Sequence, residues 1–120
     1  MKVLVVDDSP LVRKRVKRLI LEVPTVETVS EAKGRSGAMR SLRKVEHDVM
    51  VVDIEIPNGD AIGLLADVKK QQKPPLVIVL SKLSGPEYRK KCADIGADFF
   101  FDKSTEFERV ADVLRKCGAR

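Results

Sequence analysis

Residues 2–8 read KVLVVDD: five residues, four of them apolar, ending abruptly in two acids. Three later stretches have the same form. VMVVD ends at Asp53, LVIVLS at Ser81 and DFFFDK at Asp102-Lys103. Short apolar runs of this kind, bounded by polar residues and separated by helical patterns, are expected to be buried parallel strands. With a weaker run near 26–30, strands are expected near 2–6, 26–30, 49–53, 76–81 and 98–102. The intervening segments predict helices near 10–22, 35–46, 60–71, 85–95 and 105–117.

Local chemistry supports this alternation. Ser9 can cap the first helix, and Pro10 sits at its first turn, where a missing N–H costs nothing. Leu11, Val12, Val16, Leu19, Ile20 and Val23 recur at helical spacing until Pro24 stops them. Ser84 with Glu87, and Thr105 with Glu108, have capping-box spacing. Phe107, Val110, Ala111, Leu114 and Cys117 mark the apolar stripe of the last helix. Five βα units require right-handed crossovers, which place helices on both faces of a parallel sheet. The expected fold is therefore a three-layer, doubly wound (βα)5 α/β sandwich of the flavodoxin-like kind, with strand order 2-1-3-4-5.

Size and composition limit the alternatives. A chain of 120 residues suits one domain around one sheet. It has no apolar run long enough to cross a membrane and no secretion leader, so a cytoplasmic location is expected. Cys92 and Cys117 form no metal or redox motif and are expected to stay reduced. His47 lacks partner ligands and reads as a solvated loop residue. The net charge of +5 is spread over several helices: Arg13, Lys14, Lys17 and Arg18 on one, Arg40, Arg43 and Lys44 on another, Arg89, Lys90 and Lys91 on a third. With no Trp and no basic-aromatic platform, this argues for an acidic protein partner over direct nucleic-acid binding.

Ligands of open parallel sheets sit at the carboxyl ends of the strands. There the order 2-1-3-4-5 brings Asp7, Asp8 and Asp53 together and places Ser81 and Lys103 on the same rim. Carboxylates about 4 Å apart repel by roughly 4 kcal/mol at an effective dielectric near 20. A hard divalent ion such as Mg²⁺ relieves that repulsion with oxygen ligands alone. Metal storage leaves Lys103 and Ser81 without purpose, whereas a tetrahedral anion between them uses both. Asp53 thus reads as a nucleophile for phosphoryl transfer, with Mg²⁺, Lys103 and Ser81 stabilising the transferred group.

The motifs VVDDS, VVDIEIPNGD, VIVLS and GADFFFDKS resemble those of bacterial response-regulator receiver domains along essentially the whole chain. The resemblance implies that Asp53 is the phospho-acceptor and that a sensor histidine kinase or phosphotransfer protein is the donor. It also implies that Asp8 and Asp53 hold Mg²⁺ directly, Asp7 through water, with the backbone carbonyl of Glu55 completing the protein ligands. The same resemblance implies that Lys103 pairs with the phosphoryl group, that Ser81 swings toward it, and that Phe100, three residues before the lysine, moves inward and repacks the face of the fourth helix, fifth strand and fifth helix.

Four positions depart from the commonest pattern. Ser104 replaces a proline after Lys103, so a trans peptide is expected there. Lys82 stands where a small residue is usual, Glu55 adds an acid, and Ala61 replaces a glycine, with Gly59 offering flexibility nearby. Lys82 and Glu55 are expected to tune the lifetime of the phosphorylated state. The fifth helix runs almost to Arg120, so a stand-alone receiver over 1–120 is expected, with output through Tyr88, Arg89, Lys90, Phe99 and Phe101 and donor docking on the first helix. Two other classes compete: a small Mg²⁺-dependent phosphatase, and a non-phosphorylated module whose basic helix faces bind acidic protein or nucleic acid.

Overall fold

A computed structural model of the chain describes residues 1–56 and 60–118. Strands β1 (Lys2–Val6), β2 (Thr28–Ala32), β3 (Val49–Val52), β4 (Leu76–Ser81) and β5 (Phe99–Asp102) alternate with helices α1 (Pro10–Ile20), α2 (Arg35–Lys44), α3 (Ala61–Lys69), α4 (Pro86–Ile95) and α5 (Arg109–Gly118). All strand pairs are parallel, in the order β2-β1-β3-β4-β5. The expected architecture and strand order are therefore found.

The period of two along each strand explains why the apolar runs are continuous. Val3, Val5, Val49, Val51, Ile78, Leu80 and Phe101 face Val16 and Ile20 of α1 and Val110, Ala111 and Leu114 of α5. Leu4, Val6, Met50, Val52, Val77 and Val79 face Ala38 of α2, Leu64, Leu65 and Val68 of α3, and Cys92 of α4. Every central strand is covered on both sides, so neither register can tolerate a charge. Helix α4 ends at Gly96, whose φ of 115° is a left-handed cap that a side chain would strain.

Several local expectations are corrected. β2 lies at 28–32, two residues later than expected, because Lys2 pairs with Thr28 and Val6 with Ala32. As an edge strand it is only half covered and carries Glu31 outward, which blurs its apolar pattern. Leu11 points into solvent, 74% exposed, one position off the stripe that buries Val16, Ile20 and Val23. His47 is 5% exposed, not solvated: its Nδ1 lies 3.0 Å from the Val45 carbonyl and its Nε2 3.2 Å from Ser30 Oγ. Burial lowers its pKa, only partly offset by the Val45 carbonyl.

Neither expected capping box forms. Gly85 is the N-cap of α4 without a side-chain bond, because Ser84 Oγ donates instead to Asp102. α5 starts four residues late, at Arg109. Before it, the Asp102 carboxylate accepts the N–H groups of Ser104 and Thr105, while Glu106 accepts the N–H of Asp102. These side chains satisfy the turn that the sequence pattern assigned to helix. The first helix is capped as expected: Ser9 Oγ accepts from Val12 N–H and Pro10 occupies the first turn.

Candidate functional site

The acids gather where β1 and β3 end side by side. Asp53 N–H donates to the Val6 carbonyl at 3.0 Å, and Asp7 N–H to the Ala32 carbonyl at 3.0 Å, so each acid is held by the last rung of a ladder. Asp7, Asp8 and Asp53 each offer a carboxylate oxygen within 4.8 Å of the others. Asp7 and Asp53 are buried and Asp8 is exposed. Short turns orient the two buried groups: Asp7 Oδ1 accepts from Ser9 N–H and Asp53 Oδ1 from Glu55 N–H, both at 2.9 Å.

Lys103 reaches over this pair from the end of β5. Its Nζ donates to Asp7 Oδ2 at 2.9 Å and to Asp53 Oδ2 at 2.7 Å. Its backbone N–H is anchored on the Ser81 carbonyl at 2.9 Å, which ties β4 to the same rim. Burial pushes the Lys103 ammonium toward deprotonation, but the bonds and charges of Asp53 and Asp7 outweigh it, and the pKa is raised. The described peptide bonds are all trans, including that before Ser104.

Ser81 is fully buried, and its Oγ accepts the N–H of Leu83 at 3.0 Å. Lys82 and Glu55 are exposed. The structure thus brings Asp7, Asp8, Asp53, Lys103 and Ser81 to one rim of the sheet. Gly59, expected to lend flexibility after Asp53, falls outside the described residues, while Ala61 is buried at the start of α3. Phe100 is partly buried beside the α3–α4 side of the core, with the Arg89 guanidinium 4.9 Å above its ring.

Two contributors were missed from sequence. Arg13, expected on a polar helix face, donates to the Asp7 carbonyl and pairs with Glu31 at 3.3 Å. Arg89 was assigned to the outer face of α4, yet its guanidinium bonds the carbonyls of Ser84 and Phe100 and the Glu106 carboxylate. Hydrogen bonds from Arg89 hold Glu106 at a pKa of about 2, and those from Ser84, Thr105 and Ser104 do the same for Asp102. Phe101, expected at the surface, is 8% exposed and belongs to the α1–α5 core, where it stacks on Phe99 with ring centres 5.9 Å apart. Only the spacing from Asp102 to Glu106 hinted at this loop; the Arg89 contacts join residues far apart in sequence.

Three oxygen donors without nitrogen or sulfur suit a hard divalent cation in an octahedral, partly hydrated shell. An acid cluster, a lysine and a buried hydroxyl thus share the carboxyl edge of an open parallel sheet, where ligands of such sheets sit. Comparison with known proteins gives the class. The sequence profile of the response regulator receiver domain matches residues 3–115, and the chain belongs to this family. It is 30% identical over 119 residues to protein-glutamate methylesterase/protein-glutamine glutaminase 2 of Koribacter versatilis, covering 94% of this chain and 33% of that protein. It is 27% identical over 110 residues to the DNA-binding transcriptional activator EvgA of Escherichia coli, covering 92% of this chain and 53% of that one. The chain therefore spans about a third to a half of these curated relatives. The receiver domain of Francisella response regulator 1452 superposes with a TM-score of 0.86 at 27% identity, covering 99% of this chain and 97% of that one. Receiver domains are signalling phospho-acceptors that interact with histidine kinases or phosphotransfer proteins and bind Mg²⁺ at an acidic pocket. No helix among the described residues is long and apolar enough to cross a membrane.

Proposed function

We propose that Asp53 accepts a phosphoryl group from the phosphohistidine of a kinase or phosphotransfer protein and that the product switches protein–protein contacts. The observation that carries this reading is the Lys103 bridge, which holds Asp53 Oδ2 at 2.7 Å in a buried site. A carboxylate oxygen of Asp53 forms a bond to phosphorus as the phosphorus–nitrogen bond breaks. The imidazole leaves with the electron pair and takes up a proton. Asp7, Asp8 and Asp53, with the Glu55 carbonyl, would hold Mg²⁺, which supplies charge neutralisation to the phosphoryl oxygens when bound. Lys103 then turns from carboxylate to phosphoryl oxygen, and its permanent charge stabilises the product.

The switch follows from burial. Ser81 Oγ engages only its own loop, through Leu83, and can turn toward a phosphoryl oxygen. The space this vacates lets Phe100 move inward and repack α4, β5 and α5. Tyr88, Lys90 and Phe99 present the output face, with Phe101 excluded by its burial. The donor docks along α1. Lys82 and Glu55, exposed at the mouth, tune the lifetime of the acyl phosphate; unchanged dephosphorylation rates in Lys82→Ala and Glu55→Asn would refute that role.

Incubation with acetyl phosphate and Mg²⁺, followed by intact mass, tests the central step. A phosphate-sized gain that requires Mg²⁺ and disappears in Asp53→Asn is expected. No gain with acetyl phosphate or a phosphorylated kinase would overturn the proposal. The stand-alone arrangement is tested separately by immunoblotting source cells. A band near 13.4 kDa supports a separate switch, and one two to three times heavier refutes it.

A further inference from the structure

The positive charge of this chain is concentrated at one edge of the molecule. Between Pro10 and Lys44, ten lysines and arginines stand against three glutamates, so the rest of the chain carries a net charge of −2. This segment comprises α1, the edge strand β2 and α2. Two open clefts meet there, about 720 Å³ between β2 and α2 and about 620 Å³ along α1. Arg13 and Glu31 line both clefts, which makes them one groove crossing the β2 edge.

Pairing within the molecule leaves most of the charge available. Glu31 is shared by Arg13 and Lys17, and Arg35 is taken by Asp67. Lys14, Arg18, Lys33, Arg40, Arg43 and Lys44 have no carboxylate partner among the described residues. Arg40 and Lys44 stand one helical turn apart on α2 and both line the groove. Leu21, 51% exposed, and Pro10 line the groove at the two ends of α1 and add apolar contacts.

We propose that this groove docks an acidic polypeptide segment of a partner protein, one that also carries aliphatic side chains. The aromatic residues lie elsewhere, at Tyr88 on α4, Phe99, Phe100 and Phe101 on β5 and Phe107 before α5, so bases of a single strand would find no stacking platform. Cations flanked by the exposed Leu21 and Pro10 fit acids interspersed with apolar residues. Such charges raise association rate and specificity, with a salt dependence that buried contacts lack. Arg40 and Lys44 lie on α2, away from the acid cluster and Lys103, so their replacement separates docking in the groove from phosphoryl transfer.

Fluorescence anisotropy tests the proposal with a labelled amphipathic peptide of glutamate and leucine, its glutamine counterpart and a single-stranded RNA. The glutamate peptide is expected to bind at low ionic strength, lose affinity as salt rises, and bind roughly tenfold more weakly to Arg40→Glu/Lys44→Glu. The charge-matched control Lys90→Glu/Lys91→Glu on α4 should bind as the wild type does. Equal loss in both double variants would reduce the effect to net charge and overturn the proposal. Absence of peptide binding, equal binding of the glutamine peptide, or tighter binding of RNA would overturn it too. Acetyl-phosphate labelling of Asp53 should be unchanged in Arg40→Glu/Lys44→Glu, so failure of docking and failure of phosphorylation are read separately.

Discussion

Replacing Lys103 with methionine isolates the electrostatics of the site. The substitution keeps an unbranched side chain of similar length and removes the one cation that bridges Asp7 and Asp53. Both carboxylates are only 5% exposed, so water cannot replace the lysine effectively. Oxygens of Asp7 and Asp53 lie within 4.8 Å, a separation at which Coulomb's law with an effective dielectric near 20 gives roughly 3.5 kcal/mol of repulsion. That agrees with the ~3–5 kcal/mol generally lost when one partner of a buried pair is removed. Urea unfolding of Lys103→Met in EDTA at neutral pH should therefore show a loss of about 3 kcal/mol.

Magnesium gives the sharper check. Millimolar Mg²⁺ should reduce the deficit of Lys103→Met at neutral pH, because a divalent cation takes over the role of the ammonium. A loss below about 1 kcal/mol, or one that Mg²⁺ leaves unchanged, would show that the bridge does not balance the two acids.

Other expectations follow from individual groups. The raised Lys103 pKa stabilises the wild type fully below about 10.5, the unfolded value, and is lost as pH rises through the folded value; Lys103→Met should lack this alkaline component of unfolding. His47, with its pKa lowered by burial against the opposing pull of the Val45 carbonyl and Asp48, resists protonation when folded, so stability should decline as pH falls below about 6.5, as followed by urea midpoints and imidazole NMR. In Arg89→Ala, the Glu106 carboxyl should titrate above its present value of about 2 in carboxyl-resolved NMR, and the Phe100 resonances should broaden or shift. Gly96→Ala forces a side chain into the left-handed cap of α4 and should cost about 1–2 kcal/mol by denaturant unfolding.

The central strands were legible from sequence because parallel strands buried on both faces cannot accommodate charge, so their apolar runs end where the sheet ends. Those endings also named the acids, the lysine and the hydroxyl. β2 was misplaced for the converse reason: at an edge, packing constrains only part of the strand. The start of α5 was misplaced because Asp102 and Glu106 satisfy the turn with side chains, which a helical apolar period does not register.

By itself, the sequence determined the alternation of strands and helices, the handedness-limited sandwich and the list of polar residues at strand ends. Each is a local consequence of periodicity and burial. Only tertiary structure decided that Lys103 bridges Asp7 and Asp53, that Arg13 backs Asp7, that Arg89 ties α4 to β5 and Glu106, and that His47 and Phe101 are buried. Those outcomes depend on distances between segments up to 96 residues apart, set by strand order and register and invisible to any local window.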